Sequence, residues 1–371
     1  MSPHTRIIDT MSAVSTPAWQ KITAGHPALR HEVLRTLQSN AIRPVALRIF
    51  LLEDDEGLAA VAIGEEVAAG DSHNPLDSTL FGRARGVARS VGLATAPALV
   101  FESALGSAPP ILARAGPSRS THLEHLLTEI ERYAAQHSLG VAFSGIPASD
   151  ADLASALARR RYVSSEVAAT ASLEVEWTDF DGYLRFLRGR SKNAAKTVRG
   201  ERNRNARSGT CIRRLPATAP LDSIYDLARD HYRRKNHADL VDAPEFLPQL
   251  KRDIGEDLLC FAAERDGQRI ASVAVVKFGD VGWVSWLGFA EHDRPNDFTY
   301  ANLAYYHLAE SAAKLGIKTL LYGNSVLKAK EMRGCKILVN RLYWRPRSSL
   351  ARTLVKSYLS LHRAWYRRKM R

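Results

Sequence analysis

The sequence repeats one order of predicted elements, and this repeat constrains the fold more than any other feature. Apolar runs at residues 45–53 and 58–67 flank an Asp-Asp-Glu-Gly turn, which predicts a β-hairpin, and residues 258–278 predict another around Asp266-Gly267. Each hairpin is followed by a third strand, a helix that ends at Leu-Gly, and a further strand. The offset between the copies is roughly 176–178 residues. This repeat predicts a duplicated unit of strands and helices.

Within each copy, the spacing of apolar residues indicates where the helices lie. A helix is predicted to begin at Ser120-Thr121 and end near Leu139-Gly140, and a shorter one covers residues 150–160. The second copy predicts a helix over residues 298–314. The expected fold class is α/β (α+β), with a mixed, mostly antiparallel sheet and flanking helices in each copy.

Positive charge is concentrated in two segments. Residues 185–214 contain eleven Lys and Arg and one acid, Glu201, and residues 341–371 contain ten Lys and Arg and no acid. The two segments together hold 21 of the 52 Lys and Arg residues and one of the 39 acids. The rest of the chain has 31 basic residues and 38 acids, so its net charge is about −7. This distribution indicates a polyanionic partner, with RNA, DNA or an anionic membrane as candidates.

The first basic segment is predicted to be a helix with its charges on one face. Spacings of three and four place five of them in one stripe, and Leu184, Leu187, Ala195 and Val198 line another face that can pack on the body. A solvated face is the alternative to nucleic-acid contact. The candidate RNA-binding residues are Arg185, Arg188, Lys192, Lys196, Arg199, Arg202 and Arg204.

The second basic segment predicts an amphipathic helix at the C-terminus. Leu350, Leu354, Tyr358, Leu361 and Trp365 recur at helical spacing among the arginines. Such a helix can bind RNA, lie on an anionic membrane, or pack on the rest of the protein with its arginines facing outward.

Composition excludes other classes. No run of eighteen apolar residues predicts a transmembrane helix, and the N-terminus is expected to be a mobile leader rather than a signal peptide. Cys211, Cys260 and Cys335 are far apart, which argues against a zinc site or a disulfide framework and favours the reducing cytoplasm. No metal site is predicted. The excess of arginine over lysine suits a bacterial source.

Three segments resemble a known family. They are Phe180-Asp-Gly-Tyr-Leu with the basic run to Arg199, Trp286-Leu-Gly-Phe with Tyr300 to Tyr306, and Lys328-x-Lys330-x-x-Arg333-Gly334-Cys335. Their order resembles the tandem GNAT acyltransferase fold of the Fem-type aminoacyl-tRNA-dependent transferases and the related bacterial peptidoglycan- or cellulose-biosynthesis-type acetyltransferases. The resemblance covers roughly residues 17–345.

The resemblance implies a division of the chain into five parts. These are a mobile leader (1–16), an N-terminal GNAT-like domain (17–176), a basic linking helix (177–214), a C-terminal catalytic GNAT-like domain (215–345) and a basic amphipathic helix (346–371).

One departure from the acetyl-CoA-dependent pattern bears on the donor. Those enzymes carry a glycine-rich loop after the central strand, where backbone N–H groups cradle a pyrophosphate. Residues 291–297 instead contain no glycine, three acids and Pro295. A diphosphate would meet like charge there, which disfavours a CoA donor. The resemblance to the Fem-type enzymes, which take their acyl group from aminoacyl-tRNA, implies aminoacyl-tRNA as the donor and no bound cofactor, with acetyl-CoA or another acyl-CoA as the alternative.

The expected activity is transfer of an aminoacyl group from tRNA to an amine of a small molecule, cell-wall or natural-product precursor, without a covalent enzyme intermediate. The candidate catalytic residues are Asp297, Tyr300 and Lys330, and the candidate substrate-binding residues are Trp286, Asn324, Lys328 and Arg333. Two alternatives remain, an acyl-CoA-dependent N-acyltransferase and a non-catalytic GNAT-like protein that binds RNA or a membrane.

Overall fold

The computed structural model describes most of the chain. The described residues are 3–23, 25–41, 46–71, 75–81, 86, 95–102, 108–236, 239–240, 242–290, 297–347, 356 and 358–359. Most of the predicted C-terminal helix and most of the acidic loop 291–297 therefore lie outside the described residues.

The strands agree with the predicted order of elements in both copies. They are β1 (His4–Ile8), β2 (Leu47–Asp54), β3 (Gly57–Val67), β4 (Ala98–Phe101), β5 (Ile111–Ala113), β6 (Gly140–Pro147), β7 (Val163–Glu174), β8 (Cys211–Arg214), β9 (Leu258–Arg265), β10 (Gln268–Phe278), β11 (Val281–Phe289), β12 (Thr319–Tyr322) and β13 (Lys336–Arg345).

The helices are α1 (Thr16–Ile22), α2 (His31–Ser39), α3 (Pro75–Phe81), α4 (Arg119–Gln136), α5 (Ala151–Arg159), α6 (Phe180–Arg190), α7 (Lys192–Arg207), α8 (Asp222–Asn236), α9 (Phe246–Ile254), α10 (Thr299–Ala301), α11 (Leu308–Lys314) and α12 (Leu327–Met332). A π-helical segment, Asn302–His307, joins α10 to α11. Short 3-10 turns occupy Met11–Ala13, Pro27–Leu29 and Gly255–Asp257. In the described part of the chain, no helix is both long enough and apolar enough to cross a bilayer.

The chain divides into two compact units. The first contains residues 1–24, 44–169 and 338–371, and the second contains residues 25–43 and 170–337. This division differs from the predicted linear domains at three places: residues 25–43 and 170–176 belong to the second unit, and residues 338–345 belong to the first.

Residues 25–43 belong to the second unit, although the sequence analysis assigned them to the N-terminal domain. Side-chain contacts explain the difference, because Arg30 Nη1 lies 2.7 Å from Asp257 Oδ2 and Thr36 donates a 2.9 Å hydrogen bond to Asp253. Residues 338–345 belong to the first unit, because Asn340–Arg345 of β13 pair antiparallel with β6.

The first unit has a mixed sheet in the order β1-β2-β3-β4-β6-β13, with β5 on β3. The β4–β6 pair is parallel, and the other pairs described in this unit are antiparallel. Leu123, Leu126, Leu127 and Ile130 of α4 are fully buried at helical spacing against the sheet, as predicted.

The predicted mobile leader is wrong for residues 4–8. These residues form β1, which pairs antiparallel with β2 from His4 opposite Glu53 to Ile8 opposite Ile49. Backbone pairing at a sheet edge needs no apolar run, so the composition of the segment did not reveal the strand.

The second unit has a sheet in which residues 171–174 of β7 are followed by β12, β11, β10, β9 and β8. Only β11–β12 is parallel among the pairs described there. The core between this sheet and its helices includes Leu184, Leu187, Ala195 and Val198, so the predicted packing face of the basic segment is buried.

The predicted single linking helix is two helices, and β8 occupies its last residues. Ser191 is extended (φ −161°, ψ 122°), which ends α6, and its hydroxyl accepts a hydrogen bond from the backbone N–H of Ala194 at the start of α7. A serine that caps a helix start competes with helix continuation. The charges therefore lie on two helices rather than in one stripe.

Candidate active site

The site begins at a distortion of the central strand β11 in the second unit. Parallel pairing with β12 extends from Val281 opposite Thr319 to Trp283 opposite Leu321, and β11 continues without it to Phe289. The register with β10 shifts between the pairs Ser272–Gly288 and Ala274–Ser285, which gives β11 one extra residue. Trp286 lies in this bulge with a φ of 43°, a left-handed conformation that is rare for a bulky residue. Bulges and local backbone strain are concentrated at functional sites.

The bulge brings two tryptophans together. Trp283 and Trp286 are both buried, and their ring centroids are 5.2 Å apart in an edge-to-face arrangement. Their spacing of three residues would place them on opposite faces of a regular strand. The extra residue of the bulge brings both side chains to the same face of the sheet.

A buried carboxyl group that the sequence analysis missed holds Trp286. The indole Nε1 donates a 2.9 Å hydrogen bond to Asp242 Oδ2. Burial raises the pKa of the Asp242 carboxyl to about 6, against the opposing effect of this bond. Asp242 is a lone acid in Leu-Val-Asp-Ala (240–243), and only the structure shows its position beside the bulge.

Gly288 allows helix α8 to lie directly against β11. A Cβ atom at this position would come within 2.2 Å of the Leu227 backbone. Because of this close approach, the C-terminal end of α8 lies near the end of β11, where Arg234 donates a hydrogen bond to the carbonyl oxygen of Phe289.

Three tyrosines of the second unit contact one another: Tyr305 packs on both Tyr300 and Tyr322, and it is buried with Tyr322, whereas Tyr300 is partly buried. Tyr300 and Tyr305 share a 3.0 Å hydrogen bond between their hydroxyl groups, and Tyr322 donates a 3.1 Å bond to the carbonyl oxygen of Ala304. Burial raises the pKa of the Tyr300 hydroxyl. Tyr300 can therefore act as a neutral hydrogen-bond donor. Tyr305 is fully buried, as its core-facing interpretation predicted.

Lys330 is a buried cation with a lowered pKa. Its side chain is 3% exposed, and Nζ donates a hydrogen bond to the carbonyl oxygen of Gly323, directly after β12. Burial lowers the pKa of the ammonium group to about 8; Cys335 opposes this shift and Lys235 adds to it. A buried lysine at the end of a central strand, with its pKa near the working range, is a candidate catalytic group.

Arg333 belongs to a buried network. Its Nη2 lies 2.8 Å from Glu201 Oε2, its Nε donates a 3.1 Å bond to the Tyr306 hydroxyl, and its Nη1 donates to the carbonyl oxygen of Ala329. Both members of the ion pair are largely buried, with side-chain exposures of 9% and 11%. The guanidinium that the sequence analysis assigned to substrate is thus engaged by protein groups, and Glu201, the lone acid of the basic segment, is the residue that sequence reasoning missed.

Loss of one partner of this ion pair is expected to destabilise the protein strongly. Glu201→Gln leaves the Arg333 guanidinium buried without a counter-charge, which should lower the free energy of unfolding by about 3–5 kcal/mol. Urea denaturation at pH 7 measures the change. Glu331→Gln, at an exposed acid on α12, is the control and should change the unfolding free energy by less than about 0.5 kcal/mol. Equal effects would show that the Glu201–Arg333 pair contributes nothing specific.

The remaining candidate residues differ in their surroundings. Asp297 lies 2.7 Å from Arg265 Nη2 in an ion pair with little exposure, so its carboxylate is already engaged. Asn324 and Lys328 are exposed in the segment between β12 and the end of α12. They lie in the same segment as Lys330, on its solvent side.

The basic residues of α6 and α7 are mostly exposed. Arg185, Arg188, Lys192, Lys196, Arg199 and Arg204 are exposed, whereas Arg202 pairs with Glu310 at 2.7 Å and lies 3.7 Å from the Phe180 ring centroid. Arg199 is 3.9 Å from Asp181. Within the described ranges, no acid forms a salt bridge with Arg185, Arg188, Lys192 or Lys196.

The family comparison falls on this same unit. The family model described as an acetyltransferase (GNAT) domain matches residues 192–330, from α7 to Lys330. Among solved structures, a tandem GNAT protein from the clavulanic acid biosynthesis pathway aligns over 94% of this chain and 99% of its own, with a TM-score of 0.53 and 10% identity. The chain has the tandem GNAT fold.

Two other structures share this tandem GNAT fold. FemX aligns over 95% of this chain and 100% of its own, with a TM-score of 0.61 and 10% identity. The C-terminal domain of a putative lysylphosphatidylglycerol synthetase from Agrobacterium fabrum aligns over 91% and 95%, with a TM-score of 0.55 and 10% identity. No curated protein sequence matches the chain. The domain match supports an acyltransferase, and the matched residues lie in the second unit.

Proposed function

We propose that this protein is an N-aminoacyltransferase that takes its acyl group from aminoacyl-tRNA in the cytoplasm. The acceptor is an amine of a small molecule or of a cell-wall or natural-product precursor. The observation that carries the proposal is the set of exposed basic residues on α6 and α7, next in sequence to the GNAT site. Four cations there have no acidic partner among the described residues, so an external polyanion can neutralise them.

Acyl transfer from tRNA is an aminolysis of an ester. The amine nitrogen attacks the ester carbonyl carbon, a C–N bond forms, and the carbonyl oxygen gains negative charge. The C–O bond to the ribose then breaks, the amine loses a proton and the ribose oxygen gains one. The protein must hold the two reactants together and stabilise the oxyanion.

Lys330 supplies the positive charge for the oxyanion in this proposal. Its buried ammonium acts in a region of low dielectric, where one charge stabilises a developing anion more than it would in water. Tyr300 supplies a neutral hydroxyl donor, and Asn324 and Lys328 contact the substrates from the exposed side. The ion pair of Asp297 with Arg265 gives that carboxylate a structural role in this site.

An acyl-CoA-dependent N-acyltransferase is the second candidate, because the matched family is described as an acetyltransferase domain. The sequence of the loop after β11 argues against it, since residues 291–297 carry three acids and no glycine where a pyrophosphate would bind. The FemX likeness concerns the fold and is compatible with both donors.

Analysis of co-purifying molecules tests the donor class. The full chain, purified at low salt, is expected to retain tRNA that is released by raised salt, because phosphate contacts weaken as counterions are added. Mass spectrometry of the released fraction should detect tRNA nucleosides above those of a mock purification. A preparation that instead releases CoA or an acyl-CoA in stoichiometric amount, with no tRNA, would favour the second candidate.

A further inference from the structure

A cavity in the second unit lies apart from the Lys330 ammonium. It has a volume of about 490 Å³, and its two walls are the α6–α7 junction and the turn from α12 into β13. Lys330 is not a lining residue, and its Nζ donates a hydrogen bond to the carbonyl oxygen of Gly323. Glu331, Arg333 and Cys335, which follow Lys330 in the chain, line the cavity.

The lining combines apolar side chains with polar ones. Leu187 and Val198 from one wall face Met332 and Ile337 from the other. Met332 is 48% exposed, so its side chain is accessible to an occupant of the cavity. Nucleobase sites use aromatic rings for stacking, and Tyr306 is the one aromatic side chain of the lining. The surface suits an alkyl body better than a base.

The rim carries positive charge. Lys336 is exposed, and the Arg190 guanidinium bridges the walls through a hydrogen bond to the carbonyl oxygen of Gly334. Glu331 is the acidic side chain of the lining. Exposed Arg188 and Lys192 on the adjoining helices add to the positive field. An occupant with one anionic group at the rim would satisfy this charge.

We propose that this cavity binds an amphiphile with an alkyl body and an anionic head, with the alkyl part between Leu187, Val198, Met332 and Ile337 and the head at Lys336 and Arg190. The volume is within the range of small-molecule sites, and the lining offers both an apolar contact surface and charged groups. This site is separate from the acyl-transfer centre and does not depend on the identity of the acyl donor.

Calorimetric titration with n-decyl phosphate below its micelle concentration tests the proposal on the full chain. Each methylene added between hexyl and decyl phosphate should tighten binding by roughly two- to fourfold. Uncharged decyl maltoside should bind at least tenfold more weakly than decyl phosphate. Lys336→Gln should weaken decyl phosphate by roughly threefold or more.

Filling the cavity provides the decisive variant. Ala194→Trp places an indole among the lining residues and should weaken binding at least tenfold, whereas Ala206→Trp, at an exposed position of the same helix outside the lining, should not. If Ala194→Trp fails to fold, Met332→Asp, which adds a like charge at the mouth, should give the same loss. Wild-type affinity in the folded cavity variant would overturn the proposal. Equal competition by inorganic phosphate alone, or by adenosine monophosphate, would overturn it as well.

Discussion

Lys330→Met is expected to lower the single-turnover rate of aminoacyl transfer by roughly 10²–10³-fold, the usual effect of removing one oxyanion-stabilising group. Methionine keeps an apolar chain of similar length in the buried space that Lys330 fills, so the fold should be retained. The rate is measured with saturating donor and acceptor, and thermal unfolding is measured in parallel. Lys318→Met, at an exposed lysine paired with Asp280, is the matched control and should transfer at the wild-type rate.

The pH dependence follows from the direction of the pKa shift. Lys330 must be charged to stabilise the oxyanion, and its pKa is lowered to about 8. The wild-type rate at saturating substrates should therefore fall as pH rises above about 8, and the residual rate of Lys330→Met should lack this decline. A full rate in Lys330→Met, with thermal unfolding that shows a folded protein, would remove Lys330 from the chemistry.

The same shift affects stability with a definite sign. Between pH 8 and about 10.5 the unfolded chain keeps the proton on Lys330 that the folded chain has lost, so the contribution of this group to stability should rise with pH in that window. Below pH 8 the folded chain keeps Lys330 charged, so the free-energy cost of burying this ammonium group applies in full. Lys330→Met should remove this rise and should be the more stable protein at pH 7.

Replacement of four basic residues on α6 and α7 is expected to change the salt dependence of tRNA binding. The variant Arg188→Gln, Lys192→Gln, Lys196→Gln and Arg199→Gln keeps helix propensity and removes four exposed charges. If all four contact phosphates, the slope of log Kd against log salt should become shallower by roughly three to four units. Transfer from a soluble aminoacyl donor that lacks the tRNA body should be nearly unchanged.

A control variant distinguishes the loss of specific phosphate contacts from the loss of four positive charges anywhere on the protein. It removes four cations of the first unit, at Arg6, Lys21, Arg132 and Arg159. This control should leave the slope within about one unit of wild type. A wild-type slope in the α6–α7 variant would show that these side chains face solvent and do not bind tRNA, and the basic tail would be the next candidate.

The repeat in the sequence predicted most of the fold. The hairpins around Asp54–Gly57 and Asp266-Gly267 and the helices that end at Leu-Gly were predictable because turn residues and apolar periodicity are local signals. The break at Ser191 was not, since a capping serine in an otherwise helical run is an ambiguous signal. The position of residues 25–43 in the second unit depends on contacts to Asp253 and Asp257, more than 200 positions away, that no local pattern encodes.

Within the candidate site, the sequence predicted the residues of the segment that resembles the GNAT family. Lys330 and Arg333 came from one short segment, but the network that engages Arg333 requires Glu201, a lone acid in a basic run whose importance the charge pattern did not reveal. Asp242 was missed because its partner, Trp286, is brought to it by a bulge. A bulge changes which face of the sheet the following side chains occupy, and no residue pattern in this sequence indicated it.

A comparison of the two possible donors tests whether the protein takes its acyl group from aminoacyl-tRNA or from acetyl-CoA. The full-length protein is incubated with a mixture of tRNAs charged with labelled amino acids, or with labelled acetyl-CoA, and an extract fraction of small amines, and labelled amide products are separated from hydrolysed donor. We expect amide formation from charged tRNA that is reduced by roughly 10²–10³-fold in Lys330→Met, and no product from acetyl-CoA. Turnover of acetyl-CoA with charged tRNA inert would contradict this expectation.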